Sequence, residues 1–444
     1  MPRLTKTIEY LFYLFVFLLP WQTRLIWQEA DLNGAVWEYG RFSLYGTELL
    51  LWLILFLYGI WLIFGRRLKK ISAAEFFSRL KNPAHLVYWL LAAFLFLAGF
   101  SILWALDWQL AYLRWLTLIE AGALMSLILV FNFSLKKIAL AWVAAASVQS
   151  VFAVSQFFFQ YTFANKWLGL AEHLPAAFGS IVLETQSERW LRSYGSLPHP
   201  NILAGFLVIS LLFLFWLAYL AKTRGQRIFV LTGLLTIAPA LFFTFSRSAW
   251  LALAAGLLFL YFWLEKIKER HFKPVFLKMV FLTALIFIIL AALLWPLVLT
   301  RLRGQERLED ASISQRLAYT EQALTLIKSD WLLGQGLGNY TLAVYQKINS
   351  AWPGYDYQPV HNLYLLVLAE LGIFGAALLG LILFLLLNFL NRVSSLEKIV
   401  GFLCLFAVLF ISLFDHYFWT LYFGVMVFWL VLGLSLKQLR GEAE

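Results

Sequence analysis

Apolar runs recur along this chain, separated by shorter polar segments. The pattern predicts twelve spanning helices, near residues 8–22, 46–65, 85–103, 110–131, 138–159, 200–221, 228–244, 248–264, 276–299, 362–390, 399–414 and 418–436. At the helical rise, about 20 apolar residues cross a hydrocarbon layer roughly 30 Å thick. Two polar stretches break the rhythm, 160–199 and 300–361. Joining two helices needs far less chain, so both stretches call for a role of their own. In the second, SISQRLAYTEQALTLIKSDWLLG (312–334) has apolar positions at helical spacing. It predicts an amphipathic helix lying on the membrane face or folded over the spans, with Ser312 or Ser314 capping its start. Gly334, Gly336 and Gly338 in GQGLGNY then end it.

Composition agrees with a membrane solvent. Of 444 residues, 62% are hydrophobic and 13% charged, too little polar surface for a soluble domain. The expected fold class is an all-α polytopic membrane protein, one integral domain over 1–444, in contact with membrane lipids. The first apolar run follows a basic end and runs into Trp21 without a small-x-small site, so it reads as a retained helix. Cys404 is the single cysteine, which excludes an internal disulfide.

The net charge of +11 is informative through its distribution. With twelve spans, one side collects Arg3 and Lys6, the basic stretch 66–81, Lys136 and Lys137, Lys222, Arg224 and Arg227, Lys266 through Lys273, Arg392 and Lys398, and Lys437 and Arg440. By the positive-inside rule that side is cytoplasmic, together with both termini. The long polar stretches are then external. No nucleic-acid partner is expected. The glycine run follows no strand and lacks the Lys-Ser/Thr ending of a phosphate loop, which rejects a nucleotide site.

Several cations break this bias: Arg192 in RSYGSLPHPN, Arg247 in TFSRSAW, and Arg301, Arg303 and Arg316 in the long stretch. Arg247 occupies a short external turn, where it either snorkels to headgroups or holds a ligand. Arg301 and Arg303 read more readily as snorkelling. If Arg192, Arg247, Arg316 and His361 converge, they form a cavity suited to a diphosphate, because the guanidinium fork gives bidentate, charge-assisted bonds. His361 heads the apolar run in QPVHNLYLLVLAELGIFG and is the candidate proton acceptor. Asn362 beside it orients the imidazole or caps the helix.

Glu370, inside that run, reads as a structural lock on a basic or backbone partner. His199 and Asn201 in PHPN head another span, with Asn201 as the candidate cap. A metal shared by His199 and His361 lacks further ligands at characteristic spacing, so no metal or other cofactor is expected. Asp415–His416 reads as a polar break in the last external turn.

RSYGSLPHPNILAG, TFSRSAW, and SQRLAYTEQALTLIKSDWLLGQGLGNY followed by PVHNLYLLVLAELGIFG resemble the O-antigen ligase and polymerase superfamily of bacterial envelope proteins. The resemblance covers the second half of the chain; the first half shares only hydropathy and topology. It implies a GT-C-like body in the bacterial inner membrane with an external, periplasmic active site. The implied reaction is metal-independent, inverting transfer of a glycan from undecaprenyl diphosphate to lipid A-core. A polymerase would instead use a lipid-linked glycan acceptor, and transfer to a protein is a lesser possibility. Arg247, Arg316 and His361 match the family's essential residues by motif, and Arg192 matches a further arginine. Asn201, Asn362, Gly336 and Gly338 are the expected substrate-binding positions, with Glu370 and His199 as helpers. The rival from another class is a lipid-linked glycan transporter, but the halves carry no matched pair of helix-breaking segments.

Overall fold

A computed structural model of the chain describes residues 2–65, 83–185, 188–268, 270–304, 307–390 and 395–440. The basic stretch 66–81 and Arg392 lie outside the described residues. The long helices are α1 (Pro2–Leu18), α2 (Gly46–Gly65), α3 (Pro83–Phe100), α4 (Trp108–Val130), α5 (Leu135–Phe159), α6 (Pro200–Leu220), α7 (Arg224–Phe243), α8 (Arg247–Ile267) and α9 (Phe272–Leu293). The polar segments add α10 (Trp295–Arg303), α11 (Arg307–Ser329) and α12 (Tyr340–Lys347), followed by α13 (Leu363–Leu390), α14 (Leu396–Ile411), α15 (Tyr417–Thr420) and α16 (Tyr422–Arg440). Each expected span overlaps a helix, but 276–299 takes in both α9 and the start of α10, and 418–436 both α15 and α16. Among the described residues, nine helices, α2 through α9 and α13, are long and apolar enough to cross a membrane. The apolar lengths of α1, α14 and α16 are shorter.

Local sequence explains the helix starts. Asp107 accepts from the backbone N–H groups of Gln109 and Leu110, and Thr223 with Gln226 forms a capping box. α6 is the hub, buried from Pro200 through Leu217 and packed by α5, α7, α8, α9 and α14. A helix apolar on every side belongs at the centre of a bundle. Trp142 on α5 donates to Ser210 Oγ at 3.0 Å, pairing the polar atoms buried between α5 and α6.

The polar segments are not purely helical, which corrects the all-α expectation. β1 (Arg24–Gln28) pairs antiparallel with β4 (Phe42–Tyr45), β2 (Asp31–Leu32) with β3 (Ala35–Val36), and β5 (Val182–Glu184) with β6 (Arg189–Leu191). These connections lie outside the helices and satisfy their backbone groups by local pairing. α11 begins at Arg307, so Ser312 and Ser314 lie inside it and cap nothing. Its start is favoured instead by Glu309 and Asp310 in the first turn, where carboxylates complement the helix dipole. Its apolar face folds over the protein: Ala323 and Leu326 share a small core with Tyr340, Val344, Leu366 and Ala369.

α13 is not one straight span. Gly372 has φ +63°, and a Cβ there would lie 2.2 Å from the Leu332 carbonyl oxygen. Only glycine fits this break. The segment 331–336 fills it: Ile373 N–H donates to Trp331 O, Gln335 N–H to Ala369 O and Gly336 N–H to Glu370 O. His361, Asn362 and Glu370 therefore sit before the break, against the polar layer.

Candidate functional site

The polar lip before α13 is tied to the turn after α14. Leu363 N–H donates to Ser412 O at 2.9 Å, and Asn362 Nδ2 donates to Leu413 O at 3.1 Å. Asn362 Oδ1 accepts from Leu365 N–H, so this side chain caps the helix and does not contact the imidazole. The two bonds bring His361 to Asp415, with Nδ1 3.7 Å from Asp415 Oδ1. That is an ion-pair contact, longer than a hydrogen bond, and Nδ1 is buried with no hydrogen-bond partner. Asp415–His416 is thus part of the site and not a mere polar break. Sequence reasoning missed it because residues so far apart in the chain carry no local signal of contact.

Asp415 is buried and anchored on both oxygens. Oδ1 accepts from His416 N–H at 2.9 Å, and Oδ2 accepts from Asn201 Nδ2 at 3.3 Å. Burial pushes its carboxyl up, but the His361 contact outweighs this and holds it well below the usual carboxylate range. His416 Nδ1 shares a 2.8 Å hydrogen bond with Thr420 Oγ1. Burial, then the neighbouring cation positions, pull His416 and His199 down to about 3. Both rings are neutral at physiological pH. His199 caps α6 through its Nδ1, which accepts from Asn201 N–H at 3.0 Å. This reverses the expected cap assignment: the Asn201 side chain is left to bridge Asp415 and Arg192.

His199, His361, Asp415 and His416 line a cavity of about 920 Å³, with Tyr39, Tyr319 and the loops of both polar stretches around it. The ligand atoms of His361, Asp415 and His416 lie within 4.8 Å of one another. This trio could hold a metal, although both Asp415 oxygens and His416 Nδ1 are already bonded and the surroundings are strongly cationic. His199 does not belong to the trio.

The arginines gather beside this cavity. Buried Arg192 donates through Nε to Thr244 O at 2.6 Å and through a terminal nitrogen to Asn201 Oδ1 at 2.8 Å. A buried chain therefore runs Arg192–Asn201–Asp415–His361. Arg316 donates to Phe414 O at 3.4 Å, next to Asp415. Arg247 lies 3.5 Å from Glu309 and donates to Arg301 O. Arg301 corrects the snorkelling expectation: it is buried, ion-paired with buried Glu309, and donates to Phe245 O. Among the described residues, none ties Arg303 to this group.

Charge balance in this group is uneven. Burial, followed by the nearby Arg301 and, more weakly, Arg316, drives the Arg192 guanidinium well below its ordinary value against the pull of Glu309. Arg247 and Arg301 thus share the Glu309 carboxylate, whose pull also reaches Arg192, while Asp415 is engaged with His361. Arginine keeps its proton, so such crowding is relieved by an anion.

Gly336, Gly338 and Glu370 lie elsewhere. A Cβ on Gly336 would meet Ala105 at 2.6 Å, and one on Gly338 would meet the Arg114 Cγ at 2.6 Å, both at positive φ. Gly338 lets the long loop pack on α4 and Gly336 lets it pack on the turn before α4, and neither lines the large cavity. Glu370 is buried and accepts from Trp419 Nε1 at 2.8 Å, with Gly338 and Arg114 beside it in a separate small pocket. That is the arrangement of a structural lock.

Residues 231–380 match the family model for O-antigen ligase. The O-antigen ligase match covers part of the chain and contains Arg247, Arg301, Glu309, Arg316 and His361. Arg192, Asn201, Asp415 and His416 lie outside it, yet the fold joins them to the matched residues. Among curated proteins, none matches the chain by sequence.

Proposed function

We propose that the protein transfers a glycan from undecaprenyl diphosphate to an envelope acceptor, in the manner of an O-antigen ligase acting on lipid A-core. The observation that carries this reading is the His361–Asp415 pair at a large cavity, with Arg192 and Arg316 bonded to the neighbouring Asn201 and Phe414 and with Arg247 and Arg301 sharing the Glu309 carboxylate. In this reading the arginine group binds the diphosphate. Arg247 and Arg316 are the better placed, because both are only partly buried. The acceptor hydroxyl oxygen attacks the anomeric carbon from the face opposite the diphosphate. The bond from that carbon to the diphosphate oxygen breaks, its electron pair leaves with undecaprenyl diphosphate, and the arginines neutralise the growing charge. His361 Nδ1 faces Asp415, which leaves Nε2 to take the hydroxyl proton. Asp415 then stabilises the imidazolium. Direct displacement inverts the anomeric centre.

The same reading assigns twelve spans in a GT-C-like body of the bacterial inner membrane, with both termini cytoplasmic and the cavity external. A polymerase differs only in accepting a second lipid-linked glycan. The test uses purified protein in nanodiscs with undecaprenyl-diphosphate glycan, offered lipid A-core, a second lipid-linked glycan or a protein in separate reactions. Product with inverted linkage from lipid A-core supports the ligase reading. Product only from the second lipid-linked glycan assigns the polymerase. Lack of product from all three, alongside passage of lipid-linked glycan across the bilayer, would replace transfer with transport.

A further inference from the structure

The mouth of the large cavity carries an exposed aromatic pair that the transfer chemistry does not use. Phe178 is 89% exposed, and Tyr355 is 48% exposed. Their ring centroids are 5.7 Å apart at an interplanar angle of 71°. The two come from different polar stretches, so they bridge the cavity mouth. Both are held by built turns. Phe178 precedes Gly179, which has φ +83°, in a turn closed by Ser180 N–H donating to Ala177 O. The loop behind it is pinned where His173 stacks on Tyr194 at 4.0 Å. Tyr355 follows Gly354, which packs so closely on the β2–β3 hairpin that a Cβ would meet Ala35 O at 2.3 Å.

The surroundings of this pair are polar. Asp356, Gln358, Lys166 and Gln315 line the same cavity. Gln358 Nε2 donates to Tyr355 O, and its Oε1 accepts from the Tyr39 hydroxyl. The Tyr39 ring then meets His416 edge-on, 5.9 Å between centroids. A continuous wall therefore leads from the mouth to the reacting centre. An acyl chain would gain from the rings but would desolvate Asp356 and Lys166 without partners. A pyranose has both requirements in one molecule: an apolar C–H face for an aromatic ring and a rim of hydroxyls for amides and charges. Exposed rings in fixed turns offer such contact area at small entropic cost.

We propose that Phe178 and Tyr355 form a platform that grips a sugar ring of the glycan chain, several residues from the bond being exchanged. The proposal rests on the transfer reading for its biological sense, but its test does not depend on turnover. Protein carrying 4-fluorophenylalanine at position 178, in nanodiscs, is titrated with maltopentaose and with chitopentaose and followed by fluorine NMR. The expected result is a saturable shift of the Phe178 resonance with at least one pentasaccharide, lost in Tyr355→Ala. In saturation-transfer NMR the same sugar is contacted by wild type and Phe178→Tyr but not by Phe178→Ala. No shift with either sugar, or a shift unaltered by Tyr355→Ala, overturns the proposal. Broadening of the resonance by spin-labelled lipid headgroups, without a sugar response, assigns the pair to the membrane surface instead. In turnover, Phe178→Ala raises KM for a several-sugar donor about three- to tenfold and leaves a single-sugar donor unchanged. If wild type turns over no donor while the sugar response persists, the transfer reading fails and the platform stands.

Discussion

Replacing Asp415 by Asn removes a charge while nearly preserving shape, and so isolates the electrostatic part of the proposed mechanism. Asparagine can still accept from His416 N–H but then turns its own amide donor toward Asn201 Nδ2, so one hydrogen bond of the turn is lost with the charge and a check on folding is part of the test. The charge faces His361 Nδ1 at 3.7 Å. At an effective dielectric constant near 20, two unit charges at that distance attract by about 4–5 kcal/mol. Part of the His361 side chain is open to solvent, which discounts the attraction to about 2–3 kcal/mol. A loss of that size, felt only when the imidazole is protonated in the transition state, lowers kcat by roughly 30- to 150-fold. KM for the lipid-linked donor stays near wild type, because the arginine group is untouched. The assay is steady-state release of undecaprenyl diphosphate in nanodiscs, with thermal unfolding as a check on folding. Asp415→Asn with kcat within twofold of wild type, and an unaltered pH profile, refutes the pairing as part of the mechanism.

Four further outcomes follow from the geometry. Glu309→Gln leaves buried Arg301 without its counter-charge, and the melting curve records a loss of about 3–5 kcal/mol. Gly205→Ala places a Cβ 1.9 Å from the buried Tyr417 hydroxyl, next to His416, and destabilises by about 1–3 kcal/mol in the same measurement. His416 takes up a proton near 6.5 when unfolded but only near 3 when folded, so the native state loses stability as pH falls from about 6.5 toward 3. His416→Gln therefore shows a smaller drop in melting temperature between pH 7.5 and pH 5 than wild type does. Exhaustive chelation leaves the transfer rate within twofold; a loss restored by one divalent metal would place an ion on His361, Asp415 and His416.

Legibility in the sequence followed the range of the interactions. Helix positions depend on apolar runs and caps that are local, so the apolar runs sufficed to locate the long helices. His361 and the arginines stood out because a charge beside an apolar run demands a reason. Their partners did not stand out. Asp415 meets His361 only because backbone bonds from Leu363 and Asn362 dock one turn on another. Glu309 meets Arg301 and Arg247 only when the start of α11 comes to the end of α10 and the start of α8. His199 and Asn201 are both competent caps, and the choice was made by the tertiary demand for an amide between Arg192 and Asp415. The break at Gly372 was hidden for a similar reason: its alternative hydrogen bonds come from residues 331–336, outside the apolar run that hydropathy reads.

The most direct measurement of the central claim is the stoichiometry of transfer in nanodiscs containing one donor, undecaprenyl-diphosphate glycan, and lipid A-core as acceptor. Wild type is expected to form glycosylated acceptor and free undecaprenyl diphosphate in equal amounts, and His361→Ala, folded to the same melting temperature, neither. Equal turnover by wild type and His361→Ala would contradict the account, as would intact donor recovered on the opposite face of the bilayer with no bond exchanged.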